Sequence, residues 1–449
     1  GADCSNTSLT QLPISLDKDI SILRANNNSI THLSRFTFSK FGNSVFPHLI
    51  QLSFQNNYIT NIDPSTFEGV RNIKELNLNK NFISQINPSV FRNLHKLEKL
   101  HLVHNRFRVL EKGVFRELTS LSILDLSENM IDVIKYGAFK GLGSLKKLFL
   151  RSSKLEVLGS EIFMDLGSLV ELDLSNNLIS VIKSDYFRGL WSLEVLEMMF
   201  NKIHTIEKDS FLDLANLNRL DLDDNFIRSL RGSIFKGLRN LDTLYLSDNQ
   251  FQYLGSDSFL GLQNLTTLYL TSNLIHTIES STFQQTPNLE FLFLNSNPNL
   301  KLPEDDAFIY SGTLFYLDMS ECNLTYIPPA AFSGLPSLLT LELSYNQVRN
   351  LDREVLKFTS ERLSQVNLDN NPLECDCYLK STFIWCKDHG VSFIGKCDTG
   401  HGKQQVTWDS FSSLDCGEAV ENTRPDNPDE EIETFSPVTF HSVLVIDDD

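Results

Sequence analysis

The sequence predicts an α/β-type solenoid, a horseshoe of about fifteen similar turns with a continuous parallel β-sheet on its concave side. Three observations carry this. Leu49, Ile73, Leu97, Leu121, Leu145, Leu169, Leu193, Leu217, Leu241, Leu265 and Leu289 follow one another at a step of 24 residues without error. Leu314, Leu338 and Leu363 continue at 24 or 25, and Ile20 opens an earlier unit of 29. Within most units an Asn stands eight residues after the start and a Phe eighteen residues after it. Self-similarity sustained over about 350 residues marks a repeat architecture.

Each unit opens with apolar-x-x-apolar-x-apolar-x-x-Asn-x-apolar, as in Leu121, Leu124, Leu126, Asn129 and Ile131. Frame positions one, four and six point inward, and a single turn cannot bury them, so stacked neighbours supply the core. The frame resembles that of leucine-rich-repeat proteins, and the resemblance covers residues 4 to 416. The ladder of Asn28, Asn57, Asn81, Asn105, Asn129, Asn177, Asn201, Asn225, Asn249, Asn273, Asn297, Asn346 and Asn371 is predicted to serve backbone groups that would otherwise be buried unpaired. Two rungs differ. Cys322 is the usual alternative and is predicted to be a buried free thiol, whereas Ser153 offers fewer hydrogen bonds and predicts a local irregularity.

The Phe spine runs from Phe38 through Phe67, Phe91, Phe115, Phe139, Phe163, Phe187, Phe211, Phe235, Phe259, Phe283 and Phe308 to Phe332, with Leu356 as its last member. Recurrence once per turn makes it core rather than a cofactor or lipid pocket. No cofactor or metal is expected.

Both ends of the solenoid need covers, and the sequence divides accordingly: a partial N-terminal cap over 1–19, repeats over 20–373, a cysteine-rich C-terminal cap over 374–416 and an acidic, flexible tail over 417–449. Cys375, Cys377, Trp385, Cys386, Cys397 and Cys416 resemble the C-terminal cap of extracellular leucine-rich-repeat proteins of the Toll-receptor, Slit and variable-lymphocyte-receptor type. That resemblance implies the pairs Cys375–Cys397 and Cys377–Cys416; spacing alone does not choose between connectivities. Cys4, Leu9, Leu12 and Pro13 resemble the last stretch of the N-terminal cap, but several of its cysteines are missing, so the cap is either reduced or continues upstream. Disulfides point to a secreted or cell-surface protein, and the sequons at Asn6, Asn27, Asn264 and Asn323 fit glycosylation on that route. No leader opens the chain and no apolar run reaches spanning length, which suggests a mature or trimmed form whose membrane contact would need a further segment.

Seven cysteines leave Cys4 and Cys386 unassigned. Cys386 either sits reduced against Trp385 or links a homo- or heterodimer. The tail holds ten acidic residues and one basic, Arg424, half of the chain's net charge of −18, around an apolar run from Val438 to Ile446. That acidity argues against a nucleic-acid partner.

Function falls to outward positions of the concave sheet. Position five reads Ser53, Asn77, His101, Asp125, Phe149, Asp173, Glu197, Asp221, Tyr245, Tyr269, Phe293, Asp318, Glu342 and Asn367 from turn to turn. Tyr245, Tyr269 and Phe293 line up across adjacent strands, and Phe291, Phe315 and Tyr316 extend the cluster. Nothing in the frame requires aromatics there. They form either a contact patch or rings packing on one another along the sheet. Lys74, Lys80, Lys99, His101, His104, Lys146, Lys147 and Arg151 dominate the early turns, and Asp221, Asp223, Asp224, Asp242 and Asp248 the middle, beside Met199 and Phe200. The polarity would orient a partner or is simply a solvated face.

Catalytic patterns are missing: no nucleophile elbow, metalloprotease helix or complete phosphate loop occurs. His101 and His104 stand near Lys99, which would repel a cation, and no carboxylate of the same unit is expected close to them; Asp221 and Asp223 read as solvated strand-edge charges. The sequence therefore predicts a non-enzymatic extracellular recognition module that binds a protein ligand or co-receptor, as the family does in immunity, guidance and adhesion. The alternatives are a self-associating matrix component and a soluble decoy or inhibitor.

Overall fold

The computed structural model describes residues 1–13, 16–39, 46–359 and 361–398, together with the backbone of 405–406. A seventeen-stranded parallel sheet runs through them. Its two end strands, Ala2–Asp3 and Ser392–Ile394, lie outside the repeat, which leaves one strand for each of the fifteen units. Register is uniform: Leu124, Leu148, Leu172, Leu196, Leu220, Leu244 and Leu268 pair in a row, each fully buried. The three-residue strands bury their middle residue and turn the flanking two toward the concave side.

The asparagine ladder forms as expected. Asn225 Nδ2 donates to the carbonyls of Met198, Leu222 and Asp223, and its Oδ1 accepts from the Ile203 amide at 2.9 Å. One side chain thus ties its own turn to the preceding one, and burial makes each bond costly to lose. At Cys322 the Sγ approaches the Leu294 and Ser320 carbonyls, and Asn346 Oδ1 serves both the Cys322 and Leu324 amides. Cys322 is free and fully buried, and burial pushes its thiol up to about 12. The irregularity at Ser153 is real: its buried Oγ has no hydrogen-bond partner among the described residues.

The Phe spine is core. Phe187, Phe211, Phe235, Phe259 and Phe283 stack in sequence with centroids 5.6–6.5 Å apart, all at most 1% exposed. Small glycines let neighbouring turns close up on this side: a Cβ on Gly141, at φ +94°, would stand 2.4 Å from the Arg116 carbonyl oxygen.

At the N-terminal end Ala2–Asp3 extends the sheet, and the Thr7 and Leu9 amides donate to Asn28 Oδ1. Leu12 is buried behind them. At the other end Cys375 and Cys397 form the disulfide that the resemblance implied. Cys377 is disulfide-bonded as well; its expected partner, Cys416, lies outside the described residues, as does the whole of 417–449. Asp376 caps the helix Cys377–Asp388, which buries Leu379, Thr382 and Cys386 against the last repeat. Thr382 Oγ1 donates to the Leu351 carbonyl at 2.6 Å. Cys386 is free and fully buried in the single chain. Cys4 is free and half-buried. No helix among the described residues is long and apolar enough to cross a membrane.

Candidate functional site

Strand pairing brings the position-five residues into one line on the concave face. Asp173, Glu197, Asp221, Tyr245, Tyr269, Phe293, Asp318, Glu342 and Asn367 are successive register partners. Tyr245 stacks on Tyr269 at 4.7 Å and 3°, and Tyr269 on Phe293 at 4.5 Å and 8°. The stack continues, tilted, to Tyr316 at 5.3 Å, which also meets Phe291 at 6.4 Å. Each of the three stacked rings is half-buried, so the rings pack on one another and still show their edges to solvent. Phe291 stands further out, 38% exposed, and Phe315 is half-buried beside it.

Arg219 closes the other end. Its guanidinium carbon lies 4.7 Å from the centroid of Tyr245, and its Nη2 reaches Asp221 Oδ2 at 3.3 Å and Glu197 Oε1 at 3.8 Å. The sequence reading missed this residue because position three looks like any outward site; the signal was an arginine flanked by position-five acids in its own and the preceding turn. Asp221 is not a solvated edge charge, as expected, but 3% exposed: the Arg219 side chain and the Tyr245 ring shut water out. Asp223 departs from expectation in the same way. Burial, and then the Asp221 charge, push its carboxyl up to about 7, and its Oδ1 accepts from the Ser247 amide. Burial likewise raises Glu197, with Asp173 adding to the effect.

The remaining candidates occupy a second line, the rim where the chain leaves the strands. Phe200, Asp224 and Asp248 hold the same left-handed backbone position in three successive turns, at φ 54°, 53° and 52°. Phe200 is 51% exposed there, an uncommon setting for a bulky side chain. Met199, just inside it, is half-buried. The expected site is therefore two neighbouring surfaces, an aromatic ladder inside the concavity and an acidic, apolar rim beside it.

The basic early turns change character on folding. Lys74 pairs with Glu98 at 2.7 Å, Lys147 with Glu171 at 2.6 Å, and His104 with Glu128 at 3.2 Å. His101 lies 3.9 Å from Glu75. Each carboxylate comes from an adjacent turn, 24 or 26 residues away in the chain, so a reading confined to one unit could not supply it. Reading charges at the repeat period would have. Among the described residues no group of His, Cys, Asp and Glu is arranged to hold a metal ion.

The four sequon asparagines, Asn6, Asn27, Asn264 and Asn323, are all exposed, and none lies on the line of position-five residues.

A family model described as leucine rich repeat matches in nine overlapping stretches: 47–107, 95–155, 143–203, 168–225, 192–251, 215–275, 239–298, 263–324 and 312–373. Among curated proteins, trophoblast glycoprotein of Macaca fascicularis is 33% identical over 93 residues, 20% of this chain and 22% of that protein. Phospholipase A2 inhibitor of Gloydius brevicaudus siniticus is 30% identical over 114 residues, 22% of this chain and 34% of that one. The chain thus matches between about a fifth and a third of the length of these relatives. Among solved structures, a TLR13–ssRNA13 complex aligns with a TM-score of 0.65 at 23% identity, over 86% of this chain and 67% of that one. At that identity the likeness speaks for the fold alone.

Proposed function

The chain belongs to the leucine-rich-repeat family, and from that premise we propose that it is a non-enzymatic extracellular recognition module that captures a protein partner in its concavity. The observation that carries this is the Tyr245–Tyr269–Phe293 stack. It sits on outward strand positions where the fold needs no aromatic, half-exposed and continuous over four turns with Tyr316. Large rings pre-ordered by stacking lose little conformational entropy on binding, which is why interfaces favour them.

Phe291 and Tyr316 widen the surface at one end, while Met199, Phe200, Asp224 and Asp248 supply its rim. The Cys375–Cys397 disulfide and exposed sequons support a secreted or cell-surface location. A chain with a net charge of −18 lacks the Lys and Arg excess that phosphate contacts need, so nucleic acid is not the partner we propose. A soluble inhibitor would use the same surface, a reading that the phospholipase A2 inhibitor relative supports.

The test is a binding screen of the intact chain against secreted and cell-surface proteins, run beside a Tyr245→Ala, Tyr269→Ala, Phe293→Ala variant of confirmed melting behaviour. Loss of a captured partner on the variant is the expected result. Undiminished capture moves the contact to the rim, cap or tail; a chain that binds only itself favours a self-associating structural component.

A further inference from the structure

The two ends of the aromatic ladder are built alike, but only one contains a cation. At the first end the position-five acids Glu197 and Asp221 precede Tyr245, and position three between them and the ring is Arg219. At the second end Phe293 is followed by the position-five acids Asp318 and Glu342, and position three is Tyr316. The order is acid, acid, three rings, acid, acid. Arg219 shows what such a seat holds: a guanidinium 4.7 Å above a ring and within 4 Å of two carboxylates.

At the second end the carboxylates have no such partner. Among the described residues neither Asp318 nor Glu342 has an ion pair. Asp318 Oδ1 is engaged by the Ser320 amide and hydroxyl, and Glu342 Oε1 by Gln365 Nε2. The outward strand positions of the turns from Phe291 to Asn367 carry no Lys or Arg. Burial raises Glu342 and brings Tyr316 up to about 12, with both nearby acid charges contributing to the latter. Two carboxylates beside an aromatic wall of Phe291, Phe293 and Tyr316 thus lack the cation that their counterparts possess.

We propose that this second seat receives an arginine or lysine side chain of the protein partner, held between the Tyr316 ring and the carboxylates of Asp318 and Glu342, so that the ligand is a basic segment laid along the ladder. Cation–π attraction and the carboxylates act on the same group, and partial burial strengthens both. The inference rests on the concave-binding reading and specifies the partner's chemistry.

The experiment is selection of phage-displayed random dodecapeptides on the intact chain, with affinities then measured for synthetic copies. The expected peptides carry Arg or Lys. They weaken at least tenfold on an Asp318→Asn, Glu342→Gln variant, and equally when the selected arginine is replaced by neutral, isosteric citrulline. Selected peptides without basic residues, basic peptides that bind the double variant unchanged, or an empty selection would overturn the proposal. Peptides that weaken on the Tyr245→Ala, Tyr269→Ala, Phe293→Ala variant but ignore the acid substitutions overturn only the cation seat. Peptides indifferent to both variants overturn the concave reading as well.

Discussion

The guanidinium of Arg219 lies over the ring of Tyr245, 4.7 Å from its centroid, and at the same time 3.3 Å from the Asp221 carboxylate. One side chain therefore begins the aromatic ladder and neutralises the buried acid beneath it. Arg219→Met keeps most of the aliphatic stem and removes both contacts. We expect a loss of about 1–2 kcal/mol at low salt, smaller in about 1 M salt, which screens a partly exposed ion pair. Urea melts at the two salt concentrations measure it; equal loss at both would mean that packing, not charge, is what Arg219 contributes.

Asp223 should make the fold sensitive to pH. Its folded value of about 7 stands above the ordinary 3.8, so the folded chain holds the proton more tightly than the unfolded one. The stability it contributes is full below about pH 4 and is lost as pH rises through about 7. Glu197, Asp224 and Glu342 are raised in the same direction. Asp223→Asn keeps an acceptor for the Ser247 amide and removes the charge, so its melting temperature should exceed that of the parent at pH 8 and match it at pH 4. A parent and variant that track each other across this range would refute the assignment.

Ser153 leaves the asparagine ladder one rung short. In the regular turns Leu102 O accepts from both Asn105 and Asn129, whereas Ser153 Oγ reaches no acceptor. Ser153→Asn should restore bonds to the Leu126 and Leu150 carbonyls and stabilise the chain by about 1 kcal/mol. A lower melting temperature would show that the turn has closed around the smaller side chain.

Thiol accessibility should separate the three cysteines that are free among the described residues. Cys322 and Cys386 are fully buried, and burial pushes both thiols up to about 12, while Cys4 is half-buried. A maleimide should label Cys4 alone in the folded chain and all three after denaturation. A dimer on a non-reducing gel that disappears with Cys386→Ala would contradict the burial.

The repeat frame made the fold legible because it is a local code. Leu at positions one, four and six, Asn at nine and Phe at nineteen each answer a demand that recurs in every turn, so Cys322 and Ser153 stand out as exceptions in the sequence alone. The line Tyr245, Tyr269, Phe293 was equally visible, since parallel register at a step of 24 places them side by side.

What the sequence by itself determined is this periodic scaffold: which side chains face the core, how the turns stack, and which aromatics share the concave face. Only the tertiary structure decided how the outward charges are spent. Lys74 finds Glu98, Lys147 finds Glu171, and Arg219 covers Tyr245 while pairing with Asp221, each across or along neighbouring turns. The physical reason is distance. A buried leucine is fixed by its own unit, but the state of a charge depends on the side chains within a few ångströms, and in a solenoid most of those lie one full turn away in sequence.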